Sequence, residues 1–290
     1  MGGSLQVNQP GFYSIDVEDY YHILDVKGTP SLKSWDLIPS RVEKGLYAHF
    51  DLLDSCQAKA TCFFLGYIAR RFPALVKEAL KRGHEVASHG MYHSVVARQG
   101  KERFIQDASS SKKLLEDISG SEVLGWRAAG FSFDKSCPWY FESLAQCDYK
   151  YDSSLLPNRR KHQIVPGIRD AIFEIDTTHG KLFEIPISVA RLACLKISMF
   201  GGCYLRFFPR SLISVKADEV LRTRPLLIYI HPRELDMEHP KIEMNPLRRF
   251  KSYVNLESVE AKLRELLSKT KYIRISDYIQ SYEMVHKSQQ

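Results

Sequence analysis

Residues 60–88 read ATCFFLGYIARRFPALVKEALKRGHEVAS and contain a strand, a helix and a second strand in succession. The apolar run Ala60–Leu65 is typical of a buried strand. Pro73 predicts the first turn of a helix, and Gly83 predicts its end just after two basic residues. Glu85–Ser88 predicts the next short strand. This order indicates parallel strands that are joined by a helix.

The same alternation extends along most of the chain. Further strands are predicted at Phe12–Val17, Leu124–Arg127, Leu226–Ile230 and Tyr272–Ile275. Further helices are predicted at Pro39–Leu53, Glu102–Ile118, Pro138–Ala145 and Leu256–Leu267, the last of them capped by Asn255. The segment from Leu156 to Pro209 is more irregular. We therefore expect one α/β catalytic domain over residues 1–290, with a helix-covered parallel sheet or barrel and a flexible segment at residues 1–10.

Composition and charge narrow the functional classes. The 290 residues are 44% hydrophobic, enough for a full core, but no run approaches the ~18 apolar residues of a membrane span. The first residues lack a secretory signal, so we expect a cytoplasmic protein. The net charge of +7 comes from scattered basic clusters, which argues against nucleic-acid binding. A basic surface is compatible with acidic glycans, sugar nucleotides or peripheral contact with an anionic membrane.

Polar residues follow four of the predicted strands. Asp16, His89, Arg127 and His231 each stand at the end of an apolar run or just beyond it. Because parallel strands end at one edge of the sheet, these side chains are expected to meet there, where α/β proteins carry out their chemistry.

Two features of these strand ends point to a metal. His89 and His93 are four residues apart, and a helix after Gly90 would place both imidazoles on one face. Alone, such a pair is usually incidental. Residues 16–19 (DVED) carry three carboxylates that repel one another unless they are solvated or bound to a cation. The two features together predict a divalent metal, with zinc favoured over cobalt or nickel.

The motifs occur in an order that one family shares. They are SIDVEDY at 14–20, SHGMYH at 88–93, Arg127, YDSS at 151–154 and YIHP at 229–232. This set resembles the NodB-homology polysaccharide deacetylases, carbohydrate esterase family 4, and within them a subgroup associated with exopolysaccharide and O-antigen gene clusters. The resemblance extends from Phe12 to Ile279 and includes GGCYLR at 201–206 and FKSYVN at 250–255.

The resemblance implies a fold and a set of catalytic roles. The fold would be a deformed (β/α) barrel with fewer than eight strands. Asp16 would be the general base, and Arg127 would pair with it and keep it ionised. His231 would be the general acid that protonates the leaving amine, and Asp152 would orient or tune His231.

The resemblance also implies that His89 and His93 bind the metal together with a carboxylate. The family has adjacent aspartates at this point, whereas Val17 separates Asp16 from Glu18 and Asp19 here. The third ligand is therefore open between two residues. Asp19 is preferred, and Glu18 is the alternative because a two-residue step returns to the same face of a strand.

The expected reaction is metal-dependent removal of an N-acetyl group from an amino sugar, which releases acetate. The substrate would be an N-acetylated sugar in a glycan or a precursor such as a sugar nucleotide or lipid-linked glycan. Phe131, Tyr204 and Arg206 are predicted to contact the sugar. Two other functions stay open: metal-independent hydrolysis of another C–N bond of the ureide type, and non-catalytic carbohydrate binding on the same fold.

Overall fold

The computed structural model describes residues 9–157 and 170–287. One large sheet and one small hairpin contain all of its strands. The sheet strands are β1 (Gly11–Val17), β2 (Ala60–Phe64), β3 (Glu85–Ser88), β4 (Gly125–Trp126), β5 (Tyr151–Asp152), β6 (Phe173–Thr177), β7 (Gly180–Glu184) and β10 (Leu226–Ile230). The hairpin strands are β8 (Ala190–Leu192) and β9 (Leu195–Ile197).

The large sheet has the order β10-β1-β2-β3-β4-β5-β7-β6. Every neighbouring pair is parallel except β6 with β7, which is antiparallel. The seven parallel strands form a curled half-barrel, which confirms the predicted deformed (β/α) barrel. Fewer than eight strands were expected, and β6 brings the described sheet to eight. The antiparallel β6 extends one edge, and it was not predicted.

Helices follow most of the parallel strands. They are α1 (Val42–Ser55), α2 (Gly66–Arg71), α3 (Pro73–Lys81), α4 (Val96–Gln99), α5 (Lys101–Ser119), α6 (Tyr140–Gln146), α7 (Gly202–Phe207), α8 (Arg210–Leu221), α9 (Pro246–Tyr253), α10 (Val259–Leu267) and α11 (Ile275–Lys287). The apolar side chains that predicted the first helix are buried, namely Val42, Leu46, Phe50 and Leu53. Among the described residues, none of these helices has the length and apolar character to span a bilayer.

The first strand separates two cores. Tyr13 and Ile15 face the large core between the sheet and its helices. Phe12 faces the interior of the half-barrel, where it joins a smaller core that includes Ile275 and Ile279 of α11. Because side chains alternate along a strand, Asp16 points to the same interior side as Phe12. Helix α11 thus fills one end of the half-barrel, and the polar strand ends occupy the other.

Three expectations about local structure were wrong or incomplete. Within the described residues, the predicted strand Tyr272–Ile275 is reduced to one bridge between Tyr272 and Gly11, and α11 begins at Ile275. Asn255 adopts φ 47° and makes no side-chain cap, and a short 3₁₀ turn precedes α10. The irregular segment after Leu156 contains two hairpins. Its residues 158–169 lie outside the described part of the chain, as do residues 1–8 of the segment expected to be flexible.

Candidate active site

The carboxyl ends of the parallel strands bring together residues that are far apart in the sequence. Asp16 lies on β1, and His89, Arg127 and His231 directly follow β3, β4 and β10. The Arg127 side chain is completely buried, and its Nη1 donates to Asp16 Oδ1 at 2.7 Å and to Ser14 Oγ at 2.8 Å. The four strand ends identified in the sequence therefore form one site.

Glu18, His89 and His93 form a candidate metal centre. Each is buried and offers one ligand atom, and these three atoms lie within 4.8 Å of one another. The Nδ1–H of His89 donates to the Arg127 carbonyl at 2.8 Å, which leaves Nε2 as the ligand atom. A backbone partner of this kind commonly fixes the tautomer of a metal-binding histidine.

The carboxylate of Glu18 is held from one side. Its Oε1 accepts a hydrogen bond from Arg233 Nη1 at 2.8 Å. Its Oε2 is buried and lies 2.8 Å from His93 Nε2, but no donor among the described residues reaches it with hydrogen-bond geometry. Burial acts to raise the pKa of Glu18, but His93 and then Arg233 outweigh it and hold that pKa well below its usual range. An ionised carboxylate and two imidazoles suit zinc or a similar divalent ion.

The segment between the two histidines is not a helix. Gly90 has φ 75° and His93 has φ 53°, and this left-handed backbone turns His93 back toward His89, with ring centroids 5.1 Å apart. Asp107 of α5 anchors the segment by accepting from the Met91 N–H with both oxygens at 3.2 Å. The helical reason given for the pairing was therefore wrong, although the two imidazoles do lie together.

Asp19 lies apart from the histidines. Its carboxylate accepts hydrogen bonds from Ser40 Oγ and from the backbone N–H groups of Tyr20 and Arg41. Burial raises the pKa of Asp19 in spite of these donors. This placement favours Glu18 over Asp19 as the third ligand, contrary to the preference from the sequence, because Asp19 is engaged in holding the chain that enters α1.

The charges of the site follow from burial and close partners. Burial alone would raise the pKa of Asp16, but the Arg127 guanidinium outweighs it, followed by His89 and His231, and the pKa is lowered. Burial lowers the pKa of His89 to about 4, so its imidazole is neutral at physiological pH. An ionised Asp16 and a neutral His89 are the forms that a base and a metal ligand require.

His231 is oriented by Glu234. Its Nδ1–H donates to Glu234 Oε1 at 2.9 Å, so Nε2 faces the other carboxylates, 4.0 Å from Asp16 Oδ2 and 3.7 Å from Glu18 Oε1. Arg206 Nη1 lies 2.8 Å from Glu234 Oε2. Burial would raise the pKa of Glu234, but Arg206 and then His231 lower it to about 2. The sequence interpretation missed Glu234, although its place three residues after His231 in a proline-started turn was a usable signal.

Asp152 has other partners. Its Oδ1 accepts from Tyr140 Oη at 3.1 Å and from Ser154 Oγ at 2.5 Å. On the adjacent strand it is paired in register with Glu184, so two buried carboxyl groups lie next to each other. Burial raises the pKa of Asp152 to about 6, and burial together with the neighbouring Asp152 raises the pKa of Glu184 well above its usual range. The contact with His231 that was expected of Asp152 is made by Glu234 instead.

The three predicted sugar contacts lie in different surroundings. Phe131 lies at the site, with its ring 5.9 Å from the Arg127 guanidinium. Tyr204 is exposed on α7. Arg206 is 4% exposed and is held by Glu234 and by the Lys251 carbonyl, so its prediction as a sugar contact was wrong. A guanidinium with these partners supports His231 and does not line a groove.

Comparison with known proteins supports the deacetylase class. Residues 34–151 match the polysaccharide deacetylase family, and residues 153–280 match a domain of unknown function, DUF3473. A Bacillus cereus peptidoglycan-N-acetylglucosamine deacetylase is 39% identical over 66 residues, which is 23% of this chain and 31% of that protein. A Helicobacter pylori peptidoglycan deacetylase is 27% identical over 131 residues, 41% of this chain and 42% of that protein. The chain thus spans less than half of either relative.

Solved structures agree in fold. A structure assigned as a polysaccharide deacetylase from Mycobacterium smegmatis superposes with a TM-score of 0.66 at 17% identity, covering 99% of this chain and 94% of that one. The PuuE allantoinase gives a TM-score of 0.65 at 14% identity, covering 98% and 93%. The chain is therefore similar to polysaccharide deacetylases over residues 34–151. The structural matches add that the half-barrel is shared.

Proposed function

We propose that the protein is a metal-dependent hydrolase that removes the N-acetyl group from an amino sugar in a glycan or glycan precursor. The observation that carries this proposal is one buried site in which Glu18, His89 and His93 converge beside Asp16 and His231. Hydrolysis of an amide needs an activated water and a proton for the leaving nitrogen. The side chains of this site are of the types that supply both.

The donor set fits a divalent metal. Two histidines and one carboxylate, with room for water or substrate as a further ligand, describe a catalytic zinc site. The buried Glu18 Oε2, which no donor in the described part of the chain reaches with hydrogen-bond geometry, is the kind of atom that a cation satisfies. A metal held there would polarise the acetamide carbonyl and lower the pKa of a water molecule. Zinc is the proposed ion, with cobalt or nickel as substitutes.

Asp16 is placed to act as the base. Arg127 Nη1 lies 2.7 Å from Asp16 Oδ1 and keeps the Asp16 carboxylate ionised, and it also donates to Ser14 Oγ. The free oxygen, Oδ2, faces His231 across the site, 4.0 Å from Nε2. We expect Asp16 to take a proton from the water that attacks the acetamide carbon.

His231 is placed to act as the acid. Its Nδ1–H is committed to Glu234, so Nε2 is the nitrogen that can present a proton to substrate. The buried His49 supports the same strand end, because its Nε2–H donates to the His231 carbonyl at 3.1 Å. Protonation of the sugar nitrogen by Nε2 would release acetate and a free amino sugar.

Two variants test the proposal directly. Asp16→Asn and His231→Ala are each expected to abolish acetate release while the circular dichroism spectrum and bound metal are retained. Asp25→Asn, which alters an exposed carboxylate, serves as the control. Wild-type turnover in either site variant would overturn the assignment. Chelator-resistant turnover of a cyclic ureide by metal-free protein would favour the ureide reaction, and glycan binding without acetate release would favour a non-catalytic role.

The finer parts of the proposal come from the sequence. They are an N-acetylated sugar nucleotide or lipid-linked glycan as substrate, Phe131 and Tyr204 as sugar contacts, and membership of the exopolysaccharide and O-antigen subgroup. A cytoplasmic location and a single catalytic domain over residues 1–290 belong with them. An acetate-release screen across soluble sugars, sugar nucleotides and lipid-linked glycans tests the substrate, and cell fractionation tests the location.

A further inference from the structure

Helices α7 and α9 form one surface, which we call the α7–α9 surface. The Phe207 and Phe250 rings lie with centroids 6.2 Å apart, and Arg206 Nη2 donates to the Lys251 carbonyl at 2.7 Å. Within α9 no residue is buried, so this helix lies on the outside of the protein. The proposed chemistry gives Tyr204 of GGCYLR at 201–206 a role as a sugar contact, but it gives no role to the exposed side chains of FKSYVN at 250–255.

The α7–α9 surface exposes large apolar side chains. Leu247 is 65% exposed, Phe207 51%, Phe250 50% and Tyr204 41%. Leu247 and Phe250 are three residues apart on α9, and therefore project from neighbouring positions on the same face. Apolar side chains clustered in this way are a mark of an interaction surface.

The same surface is basic. Residues 201–210 and 246–253 contain five Arg or Lys residues and no Asp or Glu. Arg206 is buried against Glu234, and the remaining four, Arg210, Arg248, Arg249 and Lys251, are exposed. Exposed aromatic and aliphatic side chains flanked by cations are the pattern of a helix that lies in the interface of an anionic membrane.

Other occupants fit this pattern less well. A second copy of the chain would bring two basic faces together. Residues 158–169 carry four Arg or Lys residues and no acid, so their charge is not complementary either. A soluble acidic glycan would satisfy the cations but would leave Leu247 and Phe250 in water. An anionic lipid surface satisfies both the charge and the apolar side chains.

We propose that the α7–α9 surface docks the protein on anionic lipid bilayers. The surface is joined to the active site, because Arg206 extends from α7 and the Lys251 carbonyl to Glu234, which in turn holds His231. Docking would therefore place the site beside the headgroup layer, where a lipid-linked amino sugar presents its acetamide. This last consequence rests on the proposed function, whereas docking itself does not.

The test is sedimentation of the full chain with vesicles of phosphatidylcholine, with and without phosphatidylglycerol. Binding is expected only when the anionic lipid is present, and to weaken with added salt. The double variant R249Q/K251Q should bind about 25-fold more weakly, since each basic residue contributes about fivefold. The double variant L247S/F250S should lose about tenfold or more. Leu195→Ser, at an exposed residue of the β8–β9 hairpin, is the control and should bind as the wild type does.

Each other outcome counts against docking. Equal binding to neutral and anionic vesicles, unchanged binding by both double variants, or no binding at all would overturn it. A concentration-dependent dimer that L247S/F250S disrupts, without vesicle binding, would assign the surface to self-association instead. Acetate release from a soluble substrate is measured in parallel, and neither double variant is expected to change it. A wild-type protein that docks on anionic vesicles but releases no acetate would count against the proposed function and not against docking.

Discussion

The contact between His231 and Glu234 gives the sharpest prediction about catalysis. Glu234→Gln keeps the size of the side chain but removes its charge, and with it the charge-assisted hydrogen bond of 2.9 Å to Nδ1. Hydrogen bonds to charged groups contribute about 1.5–3 kcal/mol. The general acid His231 carries a positive charge before it gives its proton to the leaving nitrogen. Loss of a hydrogen bond of this strength to the charged imidazole corresponds to a decrease in kcat of about 10- to 150-fold. KM should change little, because Glu234 is buried and does not reach the substrate.

The same substitution should lower stability. Arg206 and Glu234 are both almost completely buried, and loss of the carboxylate charge leaves the guanidinium without a compensating anion. Removal of one partner of a buried pair costs about 3–5 kcal/mol, and glutamine, which still accepts a hydrogen bond, should fall at or below the lower figure. Glu234→Asp keeps the charge and should recover part of both losses.

The assay is steady-state acetate release, with kcat and KM determined for folded, metal-loaded wild type, Glu234→Gln, Glu234→Asp and Asp152→Asn. The resemblance to the family assigned the orienting role to Asp152, whereas the contacts assign it to Glu234. Glu234→Gln is therefore expected to lose more in kcat than Asp152→Asn. An unchanged kcat in Glu234→Gln, or a larger loss in Asp152→Asn, would contradict an orienting role for Glu234.

Three more predictions address the ligands, the buried acid and the packing. Glu18→Gln should lose most of its bound zinc, whereas Asp19→Asn should keep about one equivalent, as measured by metal analysis after dialysis. Zinc loss in Asp19→Asn but not in Glu18→Gln would identify Asp19 as the ligand. Because the pKa of Glu184 is raised in the folded protein, its contribution to stability should fall as pH rises above its unfolded pKa of about 4.5, by about 1.4 kcal/mol per pH unit. Glu184→Gln removes this contribution, so the unfolding free energy of wild type minus that of the variant should decrease between about pH 5 and 8 in urea unfolding. A difference that does not change with pH would contradict the raised pKa. A methyl group at Gly45 would lie 2.2 Å from the Pro232 carbonyl oxygen, in the turn after His231. Gly45→Ala should therefore lower the free energy of unfolding by about 1–3 kcal/mol, and an unchanged urea midpoint would contradict this close packing.

Much of the fold could be predicted because local signals and packing agree. Strands such as Leu226–Ile230 are apolar on both faces, and both faces are covered here, so composition alone marks them. The beginning of α11 could not be predicted from the local sequence. Its first N–H groups, at Ile275 and Ser276, are accepted by Thr61 Oγ1 and by the Glu85 carboxylate. These caps lie roughly 200 residues away in sequence and favour a helix where the local pattern predicted a strand.

The candidate site was predictable in its position but not in all its partners. Strand ends and motif order placed Asp16, His89 and His231, since these depend on topology. The choice between Glu18 and Asp19 depends on Ser40 and Arg41, whose approach to Asp19 is a tertiary contact. The alternation of side chains along a strand favours Glu18, but residues 16–19 alone leave Asp19 open as the ligand.

Arg206 illustrates the remaining limit. An arginine is usually exposed at the surface, because burial of its charge is costly without a partner of opposite charge. Here the partner is Glu234, 28 residues further along, and the pair becomes visible only when α7 lies against the turn after β10. Charged pairs that form between separate elements cannot be read from either element alone.

Glu18, His89 and His93 are proposed to hold a metal that is needed for N-deacetylation. The most direct measurement is acetate release by one preparation in three states: as zinc-loaded protein, after chelation, and after zinc is restored, with Glu18→Gln treated in parallel. Across N-acetylated sugar nucleotides, oligosaccharides and lipid-linked glycans, we expect release by the zinc-loaded and restored wild type only. Acetate release that persists in the chelated protein or in zinc-treated Glu18→Gln would show that this metal is not needed. Zinc binding by the wild type with no release from any substrate of the panel would contradict the deacetylase function.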